Sequence, residues 1–326
     1  MRALFALRFI LFRVPLPPIL LGTSSFTASG WESSFYPKGL RSADYLSYYA
    51  DRFATVEVDS TFYACPSPRT VSNWAARTPE SFIFSVKVPQ TITHERVLVD
   101  CAAELLEFLT TMDLLGPKLG PMVFQFPAFD RWKFPTQKHF LDVLVPFLSR
   151  LPRGRRFAVE IRNRNWLDAT LTNLLRDHQI ALVLQDIVNM PKHADLSSGE
   201  SDSENAVGVR GSNLEPGPSL RKRKTFDCIT AAWTYIRWLG DRKSIEKLTT
   251  TWDKPVVNRT QELTTWVDYC YEIRKRGVVI YGYANNHYAG HAPATIAQFI
   301  NLWNSKGFPE ISRPKPFAPE PTLFPL

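Results

Sequence analysis

The feature that most constrains this chain is a repeated alternation of short apolar runs with segments of helical period. The runs are "PILLGTSSF", "ATVEVDSTFY", "SFIFSVKVP", "PMVFQFP", "RFAVEIRNRNWL", "IALVLQD", "AAWTYIRWLG" and "VVIYGYANN". Between them lie segments such as "SADYLSYYADRF", where Tyr45, Leu46, Tyr49 and Phe53 recur at helical spacing. In "SPRTVSNWAART", Ser67 fits an N-cap, with Pro68 at the first helical position. Near-continuous apolar strands joined by helices belong to parallel sheets covered on both faces. Eight such units predict closure into a single α/β domain, a (β/α)8 TIM-type barrel.

The length and apolar content are sufficient for one large core, with 326 residues of which 44% are hydrophobic. The predicted barrel runs from 20 to 307. Residues 1–19 are apolar, carry Arg2, Arg8 and Arg13 with no acid, and are read as an N-terminal extension. Arg8 and Arg13 interrupt the apolar run that a secretory signal requires. Residues 190–225, including "DLSSGESDSENAVGVRGSNLEPGPSLRKRK", are polar and rich in Ser, Gly and Pro, and are read as a mobile insertion after strand 6. The proline-rich end, 308–326, is incompatible with regular structure and is read as a tail.

Four scattered cysteines, Cys65, Cys101, Cys228 and Cys270, show no C-x-x-C spacing and read as reduced thiols in a cytoplasmic protein. No run reaches the roughly 18 apolar residues of a membrane span, so no membrane partner is expected. The net charge of +8 favours anionic partners, although Arg221, Lys222, Arg223 and Lys224 supply part of it in one loop-like run. No P-loop or dinucleotide fingerprint occurs, so no nucleotide cofactor is expected, and the cofactor stays unassigned. The sequence sets no oligomeric state.

Charges inside the apolar runs locate a site. In "VEIRN", Glu160 and Arg162 lie two residues apart and so share one face of the pleat. Burying either without a partner would cost several kcal/mol. In a (β/α)8 barrel, inward positions at the carboxyl ends of strands line the mouth. Polar residues recur there: Glu57 and Asp59, Lys87, Gln125, Asp186, Arg237, and the pair Asn285 and Asn286. Glu160 and Arg162 are therefore expected to face a wet pocket together with Glu57 and Lys87.

Taken together, "GTSSFTASGW", "FATVEVDSTFY", "SNWAARTPESFIFSVKVPQTITHE", "FQFP", "FAVEIRNRNWL", "YIRWLG" and "ANNHYAGHAPATIAQF" resemble the domain of unknown function 72 (YecE-like) family from about Leu20 to Trp303. The resemblance implies a TIM-type barrel and no defined activity. Two positions depart from the family pattern: Leu239 stands where a histidine is frequent, and Ala284 where phenylalanine is usual.

Glu57, Glu160 and Asp186 are the candidate acid and base groups, because carboxylates in different environments can be tuned apart. Lys87, Arg162 and Arg237 suit a carboxylate or phosphate. Gln125, Trp166, Asn285 and Asn286 complete the expected substrate contacts, with His94 in the loop after strand 3. The structural alternative is that the cations only balance the acids. Glu57 and Glu160 do not fall on the fourth and seventh strands used by familiar barrel glycosidases. His287 and His291 in "HYAGH" have i,i+4 spacing, but Gly290 argues against a helical zinc face, and no metal is assigned. Trp31, Phe35, Tyr36, Phe62, Tyr63, Trp132 and Trp166 are either stacking surfaces or lid packing. Two functions stand side by side: an enzyme acting on a small polar or anionic molecule by carboxylate chemistry, and a nucleic-acid-binding protein with a basic, aromatic mouth.

Overall fold

A computed structural model describes residues 16–191 and 226–311. Most of the expected N-terminal extension, insertion and tail therefore lies outside the described residues.

Eight parallel strands form one sheet: β1 (Ile19–Thr23), β2 (Thr55–Val58), β3 (Ile83–Lys87), β4 (Leu119–Gln125), β5 (Phe157–Glu160), β6 (Ala181–Ile187), β7 (Trp233–Gly240) and β8 (Val279–Ala284). Their order is β1-β8-β7-β6-β5-β4-β3-β2, so neighbours follow the chain and only β1 and β2 lack a ladder between them. The helices α1 (Tyr45–Ala50), α2 (Pro68–Ala76), α3 (Ala102–Met112), α4 (Gln137–Leu148) and α5 (Ala169–Asp177) follow the first five strands in turn. Helices α6 (Thr260–Lys275) and α7 (Ala292–Ser305) follow β7 and β8. This is the (β/α)8 TIM-type barrel, closed except for one seam.

A side chain from α1 spans that seam. The Tyr49 hydroxyl donates to Thr55 O at 3.1 Å and accepts from Thr23 N at 2.8 Å. Gly22 is required beside it, because a Cβ there would lie 2.0 Å from Thr55 O. The two strands approach too closely for any side chain at that point.

Helix starts follow local chemistry. Ser67 Oγ accepts from Thr70 N ahead of α2, and Asp168 Oδ1 accepts from Leu171 N ahead of α5. Two apolar clusters result. The outer one packs helices on the outward strand faces, with Phe108, Leu144, Leu175, Trp266 and Phe299 among its fully buried members. The inner one fills the barrel with Val123, Ala158, Ala181, Val183, Trp233, Tyr235, Tyr281 and Tyr283.

Candidate active site

Strand alternation places a charged residue directly beyond a buried, uncharged inward residue on four strands. Glu57 follows Thr55, Lys87 follows Ser85, Glu160 follows Ala158, and Arg237 follows Tyr235, each pair sharing a face. Arg237 is the hub. Its Nε and Nη2 donate to Glu57 Oε1 at 3.1 and 2.7 Å, and its Nη1 donates to Glu160 Oε2 at 2.8 Å. Nη2 also reaches Asp59 Oδ1 at 3.3 Å. The Tyr235 hydroxyl donates to Glu57 Oε2 at 2.7 Å, and Arg162 Nε donates to Glu160 Oε1 at 2.5 Å.

Glu57 and Glu160 have no exposed surface, and Arg237 is 2% exposed. The expectation of a wet pocket around Glu160 is thus corrected: it is enclosed, with Arg162 and Arg237 in place of water. Such burial is tolerated because each charge is matched and hydrogen-bonded. Three acids, Glu57, Asp59 and Glu160, balance three cations, Lys87, Arg162 and Arg237.

The electrostatics separate the acids. Burial acts to raise the Glu160 carboxyl, but the Arg162 and Arg237 guanidiniums outweigh it and hold it at about 2. Asp59 lies further out, with 29% of its side chain exposed. Desolvation and the adjacent Glu57 charge push it up to about 6, against the pull of Arg237 and Lys87. Lys87 lies beside it, Nζ 3.7 Å from Asp59 Oδ1 and 3.9 Å from the centre of the Phe62 ring. Burial lowers the Lys87 ammonium, with Arg237 adding to the effect while Asp59 opposes it. The half-buried His94 packs edge-on against Phe62 and is lowered by burial and by the Lys87 and Arg162 charges.

The lysine is held from behind. Thr61 Oγ1 accepts from Lys87 N at 3.1 Å and lies 2.7 Å from Lys87 O, fixing the end of β3 against the Asp59–Phe62 turn.

The structure thus brings together Glu57, Glu160, Lys87, Arg162 and Arg237, with His94 at the edge. It does not bring Asp186 to them. Asp186 Oδ2 accepts from Trp266 Nε1 at 2.8 Å and from the Tyr288 hydroxyl at 3.0 Å, on the helix side of β6. The neighbouring Gln185 takes the inward place instead, paired across the ladder with Arg237. Trp166 is buried among Phe129, Phe134 and Phe140, away from the network. Asn285 caps the short helix after β8 through His287 N, and Asn286 Oδ1 accepts from Trp31 Nε1 and Ala292 N. Gln125 stands opposite Glu160 in the ladder, but its amide donates to Phe126 O.

Trp31, Phe35 and Tyr36 are buried and pack together, whereas Tyr63 and Trp132 are strongly exposed. His287 and His291 do not face one another on a helix. Gly290, at φ 107°, ends the first short helix, and His291 caps α7. Among the described residues no group of three or more His, Cys, Asp or Glu side chains is placed to hold a metal ion.

The residue most clearly missed from sequence is Asp59 as a member of the charge network around Arg237 and Lys87. It was visible as a mouth residue, but its depth relative to Glu57 depends on where Arg237 lies.

Fold and site define a TIM-type barrel with a charge-balanced, partly enclosed mouth. Residues 20–320 match the family described as "Protein of unknown function DUF72", and the chain belongs to that family. It is 34% identical over 155 residues to UPF0759 protein YecE of Escherichia coli (strain K12), covering 46% of this chain and 54% of that protein. It is 32% identical over 149 residues to UPF0759 protein YunF of Bacillus subtilis (strain 168), covering 42% of this chain and 50% of that protein. These matches span about half the length of the curated relatives. A solved DUF72 family protein from Thermotoga maritima shares the fold, with 24% identity and a TM-score of 0.63 over 88% of this chain and 99% of that one. The resemblance drawn from the sequence motifs is thereby established as family membership.

Proposed function

We propose that the barrel mouth binds a small polar or anionic molecule and performs acid/base chemistry on it. Asp59 transfers the proton, while Glu57, Glu160 and Arg237 form a fixed electrostatic frame. The observation that carries this reading is that one guanidinium holds two carboxylates at different depths, Glu160 with no exposed surface and Asp59 with 29% of its side chain exposed. Burial and Glu57 push Asp59 up to about 6, while Arg162 and Arg237 hold Glu160 at about 2. Groups pushed apart in this way divide into one that titrates near working pH and one that stays ionised. This revises the roles of Glu57 and Glu160 from acid and base to frame. Lys87, Arg162 and His94 remain the groups placed to meet the ligand.

The rival reading, nucleic-acid binding, gains little from the mouth. Its three cations are matched by three acids, so the +8 charge of the chain is not concentrated there. The scattered cysteines, with no C-x-x-C spacing, support a cytoplasmic setting. Among the described residues no helix is long and apolar enough to cross a membrane.

A thermal-shift screen of small metabolites tests the proposal. At least one polar or anionic compound should raise the melting temperature of the wild type by several degrees and lose that effect in Arg162→Gln. Absence of any such compound, together with a salt-sensitive shift by oligonucleotides, would replace this reading with the rival one.

A further inference from the structure

Lys87 is unusual among the lysines of this protein. Lys38, Lys138 and Lys275 lie in solvent, whereas the Lys87 side chain is 10% exposed. Among the described residues its Nζ has no hydrogen-bond partner. The nearest carboxylate oxygen is 3.7 Å away, and its other close neighbour is the face of Phe62. Arg237, whose own charge is committed to Glu57 and Glu160, adds a second cation nearby. An amine that is desolvated and near another cation is the arrangement that favours a neutral, nucleophilic lysine. Asp59 stands beside it as a carboxyl group that holds its proton more readily than an ordinary aspartate. Thr61 fixes the backbone of the same residue, so the amine is presented from a rigid strand end.

We propose that Lys87 forms an imine with an aldehyde or ketone substrate, with Asp59 handling the proton. This rests on the acid/base reading of the same mouth and adds the substrate class, a small carbonyl compound. The Nζ lone pair forms a bond to the carbonyl carbon as the C=O π pair moves to oxygen. That oxygen takes the proton of the Asp59 carboxylic acid, and the nitrogen loses one proton to the resulting carboxylate. The carbinolamine hydroxyl then leaves as water after receiving that proton again from Asp59, and the nitrogen lone pair completes an iminium ion. Hydrolysis reverses each step, so no oxidant or reductant is consumed. The iminium and the Asp59 carboxylate form together from a neutral amine and a neutral carboxyl group, so the net charge of the mouth is unchanged.

Reductive trapping decides the matter on the wild-type chain. The protein is incubated near pH 7 with sodium cyanoborohydride and, separately, pyruvate, glyoxylate, glyceraldehyde and dihydroxyacetone, and the adducts are located by peptide mass mapping. With at least one probe, the Lys87 peptide should be labelled tenfold or more above peptides carrying Lys38, Lys138 and Lys275. Lowering the pH from 9 to 7 should suppress the exposed lysines far more than Lys87. Asp59→Asn should slow labelling of Lys87 while leaving the exposed lysines unchanged. Labelling confined to exposed lysines with every probe overturns the proposal. If the metabolite screen still yields a ligand in that case, only the imine falls and the acid/base reading stands; if both fail, both fall.

Discussion

The two ends of the barrel interior are built on opposite terms. Toward the amino ends of the strands, Val123, Ala158, Ala181, Val183, Trp233 and Tyr281 fill the space with apolar surface. One layer further on, Glu57, Glu160 and Arg237 are equally buried but carry ionisable side chains joined in one ion-pair network. Tyr235 belongs to both, its ring 4.8 Å from that of Tyr283 and its hydroxyl on Glu57. The lower layer is the inexpensive solution to filling a barrel. The upper layer carries a desolvation cost that well-packed hydrophobic residues would avoid. That contrast is what motivates the proposal of a functional site at the mouth.

The strongest way to break the comparison is to remove the hub. Arg237→Met leaves Glu57 and Glu160 buried without their shared partner, and should cost about 3–5 kcal/mol in urea unfolding. Adding Glu57→Gln to that variant should recover part of the loss, because Glu160 keeps Arg162 as its partner and no buried carboxylate is left without one. If the single variant is as stable as wild type, the upper layer is not the enclosed network described here.

Glu160→Gln alone should cost on the order of 3 kcal/mol at pH 7, since the native carboxyl is held at about 2 against an ordinary 4.5. The folded-state value is depressed, so the stabilisation is present above pH 4.5 and disappears as pH falls toward 2. The gap between variant and wild type in chemical denaturation should therefore narrow steadily below pH 4.5. A pH-independent gap would point to lost packing instead of lost charge.

Much of this was legible in the sequence, and the failures have physical reasons. Glu160 with Arg162, and Glu57 with Asp59, share faces because strand side chains alternate, and that parity needs no structure. Asp186 was misleading because "ALVLQDI" is apolar on both faces, so its pattern does not reveal which of Gln185 and Asp186 points inward. Trp166 looked like a mouth aromatic, yet the loop carrying it folds back onto Phe129 and Phe140. Asn285 and Asn286 end a strand and also begin short helices, and the capping demand of those helices takes their side chains.

Smaller effects sharpen the picture. Tyr49→Phe removes the hydroxyl that bridges β1 and β2 and should cost about 1–2 kcal/mol, with hydrogen exchange rising at Thr23 and neighbouring seam amides. An unchanged exchange pattern would mean that packing alone closes the seam.

Asp59→Asn should act in the opposite sense. The Asp59 value is raised in the folded state, so its contribution to stability is full below about pH 4 and is lost as pH rises through about 6. The substitution should therefore raise the melting temperature by a few degrees at pH 8 and change it little at pH 4. A lower melting temperature at pH 8 would show that the aspartate acts mainly as a counterion to Lys87 and Arg237.

The central claim, that one mouth carboxylate titrates near neutrality while its buried neighbour stays ionised, is tested most directly by carbon-13 NMR of protein labelled at Asp and Glu side-chain carboxyls. A titration from pH 4 to 8 should show an aspartate carboxyl with a midpoint at about 6 that is missing in Asp59→Asn. Over the same range the Glu160 carboxyl, assigned by its loss in Glu160→Gln, should not titrate. No aspartate titrating above pH 5, or a Glu160 carboxyl that protonates within this range, would contradict the account.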